Sequence, residues 1–251
     1  MPFWADHALF VALALLFPLR AAWFGYRRLV RAPEPEVPRV RMSLYRQAIV
    51  LQWSLSAVTL VVWAWRGRSW AALGLMPRAT PAALALAVLA VAGIVLVAFQ
   101  RRRTLSSTAA LGHVRDQLGH VERMLPRRPA ELRRFYALAV TAGVCEELLY
   151  RGYLFWYLEQ WIGLAPAVAV ATAIFGFGHL YQGRRGVLTT ALVGLVLGVL
   201  YLVSGSLYLG MLLHALADAH SGHLAYVAFG AASASEAGAS AAALGPTPEP
   251  S

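Results

Sequence analysis

The sequence predicts an all-α fold, a polytopic transmembrane helix bundle of about seven spans. Three observations lead there. Of 251 residues, 59% are hydrophobic and only 14% are charged, whereas a soluble domain usually carries about 25% charged residues. The apolar residues gather in runs long enough to cross a hydrocarbon core, which takes about 20 helical residues. The arginines sit between those runs, concentrated in alternate connections.

Seven runs qualify, at about residues 7–26, 47–65, 81–100, 135–158, 161–181, 187–204 and 206–228. The first is the weakest, because Pro18 and Arg20 interrupt it; an arginine there can snorkel to the interface. The connection after the first run holds Arg27, Arg28, Arg31, Arg39, Arg41 and Arg46. The connection after the third holds Arg101, Arg102, Arg103, Arg115, Arg123, Arg127, Arg128, Arg133 and Arg134, and the connection after the fifth holds Arg184 and Arg185. Between the second and third runs lie only Arg66, Arg68 and Arg78. Arginine-rich connections face the cytoplasm. The expectation is a multi-pass cell-membrane protein with its N-terminus outside and its C-terminus cytoplasmic.

The net charge is +10, and every cationic side chain is arginine, since the sequence has no lysine. Nucleic-acid binding would need a basic face on a folded soluble module. Arginines spread between apolar runs point instead to membrane topology and anionic headgroups, so the expected partner is the lipid bilayer and no nucleic acid. The single cysteine, Cys145, excludes an intrachain disulfide. The N-terminus lacks a basic n-region and a small-x-small cleavage site, and reads as a retained span.

Three stretches follow from this count. Residues 1–134 hold N-terminal spans and cytoplasmic loops, 135–228 a helix bundle carrying the chemistry, and 229–251 an Ala/Ser/Pro tail of disordered composition. Within the first stretch, 105–125 mixes Leu, Val and Met with Arg, His and Glu. It fits either an amphipathic helix along the interface or a solvated loop.

The chemistry lies in the second stretch. Glu146, Glu147 and Arg151 sit deep in an apolar run. A charge at mid-bilayer costs roughly 2.5–3.5 kcal/mol on insertion scales, so such residues face the interior and pair. Glu147 and Arg151 are i and i+4, acid first, the favoured order for a helical ion pair. Glu146 is turned about 100° away and has no partner within the motif. That leaves its carboxylate free for general-base work. The next run ends in Phe175-Gly-Phe-Gly-His179, placing His179 four residues after Phe175 on one helical face. The last run carries His214 and Asp218, again i and i+4. A single membrane histidine or Glu–Arg pair can equally be a packing device. Six ionisable residues on three spans are different: unpaired, they would cost on the order of 15 kcal/mol, comparable to a whole domain's stability. They are expected to line one polar cavity.

Cys145 reads as a small packing residue, His220 and His223 as interface residues, and Gly194 with Gly198 as a close-packing face.

These motifs resemble those of the CPBP intramembrane protease family, also called the CaaX protease, bacteriocin-processing or Abi family. The family pattern is EExxxR, FxxxH and HxxxN or HxxxD. Here it reads Glu146-Glu147-Leu-Leu-Tyr-Arg151, Phe175-Gly-Phe-Gly-His179 and His214-Ala-Leu-Ala-Asp218. The flanks RGYLF, GHLYQG and GSLYLGMLLH are similar as well, and the likeness covers about residues 137–222. It implies an endopeptidase acting on a membrane-associated protein or peptide. By that resemblance Glu146 activates water, His179 assists, His214 and Asp218 polarise the carbonyl, and Glu147 and Arg151 hold the site together. The family is often called metalloprotease. A zinc held by His179, His214 and Glu146 with an open position for water, and a metal-free Glu/His mechanism, both fit these residues. Outside the resemblance, a catalytically silent scaffold or immunity protein, or a proton- or ion-coupled transporter, would use the same buried charges differently. The transporter would show repeated halves, and the N-terminal half has no counterpart of Glu146, His179 or His214.

Overall fold

The computed structural model describes residues 2–77 and 79–243, so Met1, Arg78 and residues 244–251 lie outside it. Among the described residues there are helices and turns and no strand. The first helix, α1 (residues 4–31), is continuous but changes register, with π-helical stretches at Ala12–Leu16 and Arg20–Gly25. They flank Pro18, which cannot donate to the ladder and crowds the preceding turn. A single 3-10 turn, Glu34–Glu36, leads into α2 (Val37–Trp65). Helix α3 (Pro81–Leu105) starts at Thr80, whose hydroxyl accepts from the Ala83 N–H at 3.1 Å.

Next comes α4 (Thr108–Leu118), capped by Ser107 and continued by a 3-10 stretch at Gly119–Met124. Of the two readings of 105–125, the helix is the one observed. Helix α5 (residues 129–162) is long and contains a π-helical stretch at Glu147–Leu154. At Gly163 (φ 77°) the chain takes a left-handed conformation that only glycine adopts freely, and turns into α6 (Leu164–Phe177). Helices α7 (Gly183–Ser204) and α8 (Tyr208–Ala243) complete the chain.

By length and composition three helices can cross a membrane: Glu34–Trp65, Pro81–Leu105 and Leu180–Ser204. Trp4–Leu19 and Leu164–Phe177 are apolar but shorter. Helix α3 buries none of its residues, leaving an apolar surface all round.

The last helix does not stop where the tail was expected to begin. Phe229 packs with Val121, Leu125 and Ala225, and the helix runs on to Ala243. An alanine-rich sequence has the highest intrinsic helix propensity, so its composition supports helix once Phe229 anchors it.

Polar clusters at the two ends fix the bundle. At one end Asp6 of α1 takes both guanidinium nitrogens of Arg68, at 2.8 and 2.5 Å, and accepts the Tyr153 hydroxyl on its backbone carbonyl at 3.0 Å. Arg68 also lies 4.2 Å over the Trp156 ring, and Leu207 N–H donates to Gly74 O at 3.0 Å. The N-terminus, the α2–α3 connection and the α7–α8 connection therefore share this end. At the other end Arg41 bonds Glu131 at 2.7 Å, both nearly fully buried. Arg123 donates to the carbonyls of Val30 and Ala32 at 2.9 and 3.0 Å and pairs with Glu34. The Tyr26 and Tyr181 rings meet at 5.8 Å. This end collects the α1–α2, α4–α5 and α6–α7 connections.

Candidate active site

The site is built where α5 crosses α8. A Cβ placed on Gly143 would lie 2.7 Å from Ala215 and from the Met211 carbonyl, so the two helices meet backbone to backbone. Opposite Glu147, Gly210 leaves similar room: a Cβ there would lie 3.2 Å from the Glu147 carboxylate. One turn beyond Gly143, this close approach delivers Glu146 and Glu147 to His214.

The Glu147–Arg151 pair forms as its spacing predicts, at 2.9 Å, with side chains 1% and 2% exposed. Arg151 also donates to Gly194 O at 3.0 Å, and its guanidinium sits 4.2 Å over the Phe175 ring. A Cβ on Gly194 would collide with both Phe175 and Arg151, which explains the glycine. The same Glu147 oxygen lies 2.8 Å from Nδ1 of His214. A carboxylate paired with arginine is an acceptor only, so Nδ1–H of His214 donates to it. This assigns the tautomer by partner and leaves Nε2 for chemistry. Nε2 lies 3.9 Å from Glu146 Oε2 and 3.7 Å from Asp218 Oδ2. Both distances exceed hydrogen-bond range, so all three atoms remain available to a molecule in the cavity.

Glu146 has a partner that its own motif does not contain. Gln52 of α2 donates to its Oε1 at 3.0 Å, and the Gln52 carbonyl oxygen is buried without a partner. The sequence did carry a signal: Gln52, Ser56 and Thr59 recur at helical spacing and are all buried, forming a polar stripe in an apolar run.

His179 departs from its expected placement. Helix α6 ends at Phe177, so His179 stands on the following turn and not on a helical face. Gly176, Gly178 and Gly183 crowd this stretch, and glycine is a poor helix former. The i+4 relation survives as a bond from Nδ1–H to Phe175 O at 3.0 Å, which leaves Nε2 of His179 as a free lone pair. Phe175 is the hub of the motif. Its ring lies 5.1 Å from that of His179 and 6.2 Å from that of His214, with Arg151 on its face.

Glu146, His179, His214 and Asp218 line one open cavity of about 1810 Å³, together with Gln52 and Phe175. Glu147 and Arg151 stand behind it. Of the six predicted residues, four reach the cavity and two support them. The Asp218 side chain is 43% exposed, against 10% for His214 and 8% for Glu146.

Among the described residues, no three His, Cys, Asp or Glu side chains are grouped as around a metal ion. Nδ1 of His214 is committed to Glu147, and Nε2 stands 3.9 Å from Glu146 and 3.7 Å from Asp218.

The remaining residues are structural. Cys145 is fully buried away from the cavity. His223 bonds the Tyr136 hydroxyl at 2.6 Å, and Gly198 gives room to Phe155.

Residues 128–220 match the family described as type II CAAX prenyl endopeptidase Rce1-like. This is the family group that the three motifs resemble, and the match takes in all six site residues. Its description names an endopeptidase, a hydrolase acting on protein. Comparison with curated proteins and with solved structures gives no match.

Proposed function

We propose that the chain is an intramembrane endopeptidase in which Glu146 activates a water molecule to hydrolyse a peptide bond of a membrane-associated protein or peptide. The observation that carries this reading is the convergence of Glu146, His179, His214 and Asp218, from two helices and the turn after a third, on one cavity with Glu147–Arg151 locked behind them. Such a set costs too much in an apolar bundle to serve packing alone.

Glu146 takes a proton from water as the oxygen attacks the scissile carbonyl carbon. The same proton then passes from Glu146 to the amide nitrogen as the C–N bond breaks. Gln52 holds the Glu146 carboxylate in place by its bond at 3.0 Å. With both nitrogens protonated, His214 donates Nδ1–H to Glu147 and Nε2–H to the carbonyl oxygen, whose negative charge grows in the transition state. Nε2 of His179 is a second acceptor for the water. Asp218 flanks Nε2 of His214 at 3.7 Å, while Glu147 orients the ring.

The arrangement of spans proposed with this function has about seven crossings, an outside N-terminus and a cytoplasmic C-terminus. The cavity then opens on the cytoplasmic side, because residues of all three arginine-rich connections line it. A reporter fused near Arg115 should report cytoplasm.

The deciding experiment compares membrane proteomes of cells carrying the active chain and Glu146→Gln. The variant keeps size and hydrogen bonding but removes the base. General-base assistance contributes roughly 10²–10⁴-fold, so cleavage products should vanish. Unchanged products with Glu146→Gln would sink the mechanism.

A further inference from the structure

We infer that the mouth of the same cavity is a binding site for the phosphate of an anionic phospholipid, held by Arg20, Arg28, Arg184 and Arg185. All four line the cavity. They come from two distant segments, α1 and the start of α7, which the Tyr26–Tyr181 ring contact at 5.8 Å ties together. They differ from five of the other arginines in one respect. Arg41, Arg68, Arg123, Arg127 and Arg151 each hold a carboxylate. Among the described residues none of the cavity four is in an ion pair, and the Arg20 side chain bonds only the neutral Gln47, at 2.8 Å.

Local electrostatics sharpen the point. Arg184 and Arg185 sit in the first turn of α7, where the helix dipole is positive and cations are disfavoured. That turn has no acidic residue, and its N-cap Gln182 makes no capping bond. An anion there would relieve both charges.

The walls point to an acyl-bearing molecule rather than a bare ion. The cavity, at about 1810 Å³, is far larger than a phosphate, and Phe17, Phe24, Leu192, Val193 and Val196 line it beside the arginines. A phosphate at the mouth with alkyl chains along those side chains uses both surfaces. This site is independent of the proteolytic reading, since neither Glu146 nor His214 takes part.

The test uses the purified full chain in an uncharged detergent, with fluorescent-tailed phosphatidylglycerol and phosphatidylcholine as probes read by polarisation. Phosphatidylglycerol should bind saturably and more tightly than phosphatidylcholine. Each arginine near an anionic surface contributes about 1 kcal/mol, so Arg184→Gln with Arg185→Gln should weaken phosphatidylglycerol roughly 25-fold. Phosphatidylcholine binding should not change. Arg20→Gln with Arg28→Gln is the second variant, expected to act alike should the first fold poorly. Arg102→Gln with Arg103→Gln, outside the cavity on α3, should leave binding intact, as should Glu146→Gln. The inference falls if the two lipids bind equally, or if the α3 pair weakens binding as much as the cavity pair. It falls also if inorganic phosphate displaces the lipid at equal concentration, since the acyl chains would then contribute nothing.

Discussion

Replacing Arg151 with alanine should unfold the site from behind. The guanidinium is 2% exposed and makes three contacts: the Glu147 carboxylate at 2.9 Å, Gly194 O at 3.0 Å, and the Phe175 face at 4.2 Å. Removing it leaves the Glu147 charge buried, with only the His214 N–H to answer it. Breaking one partner of a buried pair costs about 3–5 kcal/mol, because the other charge is stranded. Total stabilities are only about 5–15 kcal/mol. For a chain this long each kcal/mol shifts the melting temperature by about 2–4 °C, so a fall of about 10 °C is expected. The assay is thermal unfolding of detergent-purified protein, with monodisperse yield as a second readout. Arg151→Met combined with Glu147→Gln removes both charges at similar volume and should recover much of the melting temperature. It should not recover proteolysis, since a neutral amide holds His214 less firmly. If Arg151→Ala melts within 2 °C of the parent, the ion pair is not a structural lock and the reasoning fails.

Gly143→Ala puts a methyl group 2.7 Å from Ala215 and the Met211 carbonyl, and overpacking of this kind costs roughly 1–3 kcal/mol. Activity should fall further than stability, because pushing α5 from α8 stretches the 2.8 Å Glu147–His214 bond; parental turnover in a folded variant would refute the crossing. Gln52→Leu removes a donor to a carboxylate, worth about 1.5–3 kcal/mol, so cleavage should drop roughly ten- to a hundredfold with folded yield kept, and an unchanged rate would show that Gln52 holds nothing. Metal analysis of the purified chain, with cleavage measured before and after chelation, addresses zinc. Activity should survive chelation, whereas stoichiometric zinc that disappears in His179→Ala and His214→Ala would overturn the metal-free reading.

The parts of the site legible in the sequence are those fixed within one helix or its immediate continuation. Glu147 and Arg151 were readable because helical spacing alone sets their distance, and a buried charge in an apolar run demands a partner. Contacts between helices were not. Gln52 lies 94 residues from Glu146, and its place depends on the register of α2 against α5, which no local pattern encodes. The turn at His179 was hidden by an apolar run that continues past the helix end, although its glycines marked the break. The Asp6–Arg68 cluster was missed for a related reason. A weak first span hides an acid whose partner follows the second, and only packing joins them. The helix through Phe229 depended on tertiary anchoring of a sequence whose composition alone suits either state.

This division explains how position 218 can vary between Asn and Asp in the pattern that these motifs resemble. From spacing alone, His214 and Asp218 read as a pair, and Asp218 would be the group that orients the ring. In the structure Nδ1 of His214 bonds Glu147 at 2.8 Å, while Asp218 flanks Nε2 at 3.7 Å with a half-exposed side chain. Ring orientation and tautomer are therefore set from the buried side, by the carboxylate that pairs with Arg151. In the proposed mechanism position 218 needs only to be short, polar and adjacent to the reacting oxygen. An amide meets that need as a donor and a carboxylate as a charge beside the imidazole, and neither disturbs the Glu147–His214 bond. The strict requirement falls on Glu147, whose single oxygen is the acceptor for both Arg151 and His214 and so joins the structural lock to the chemistry.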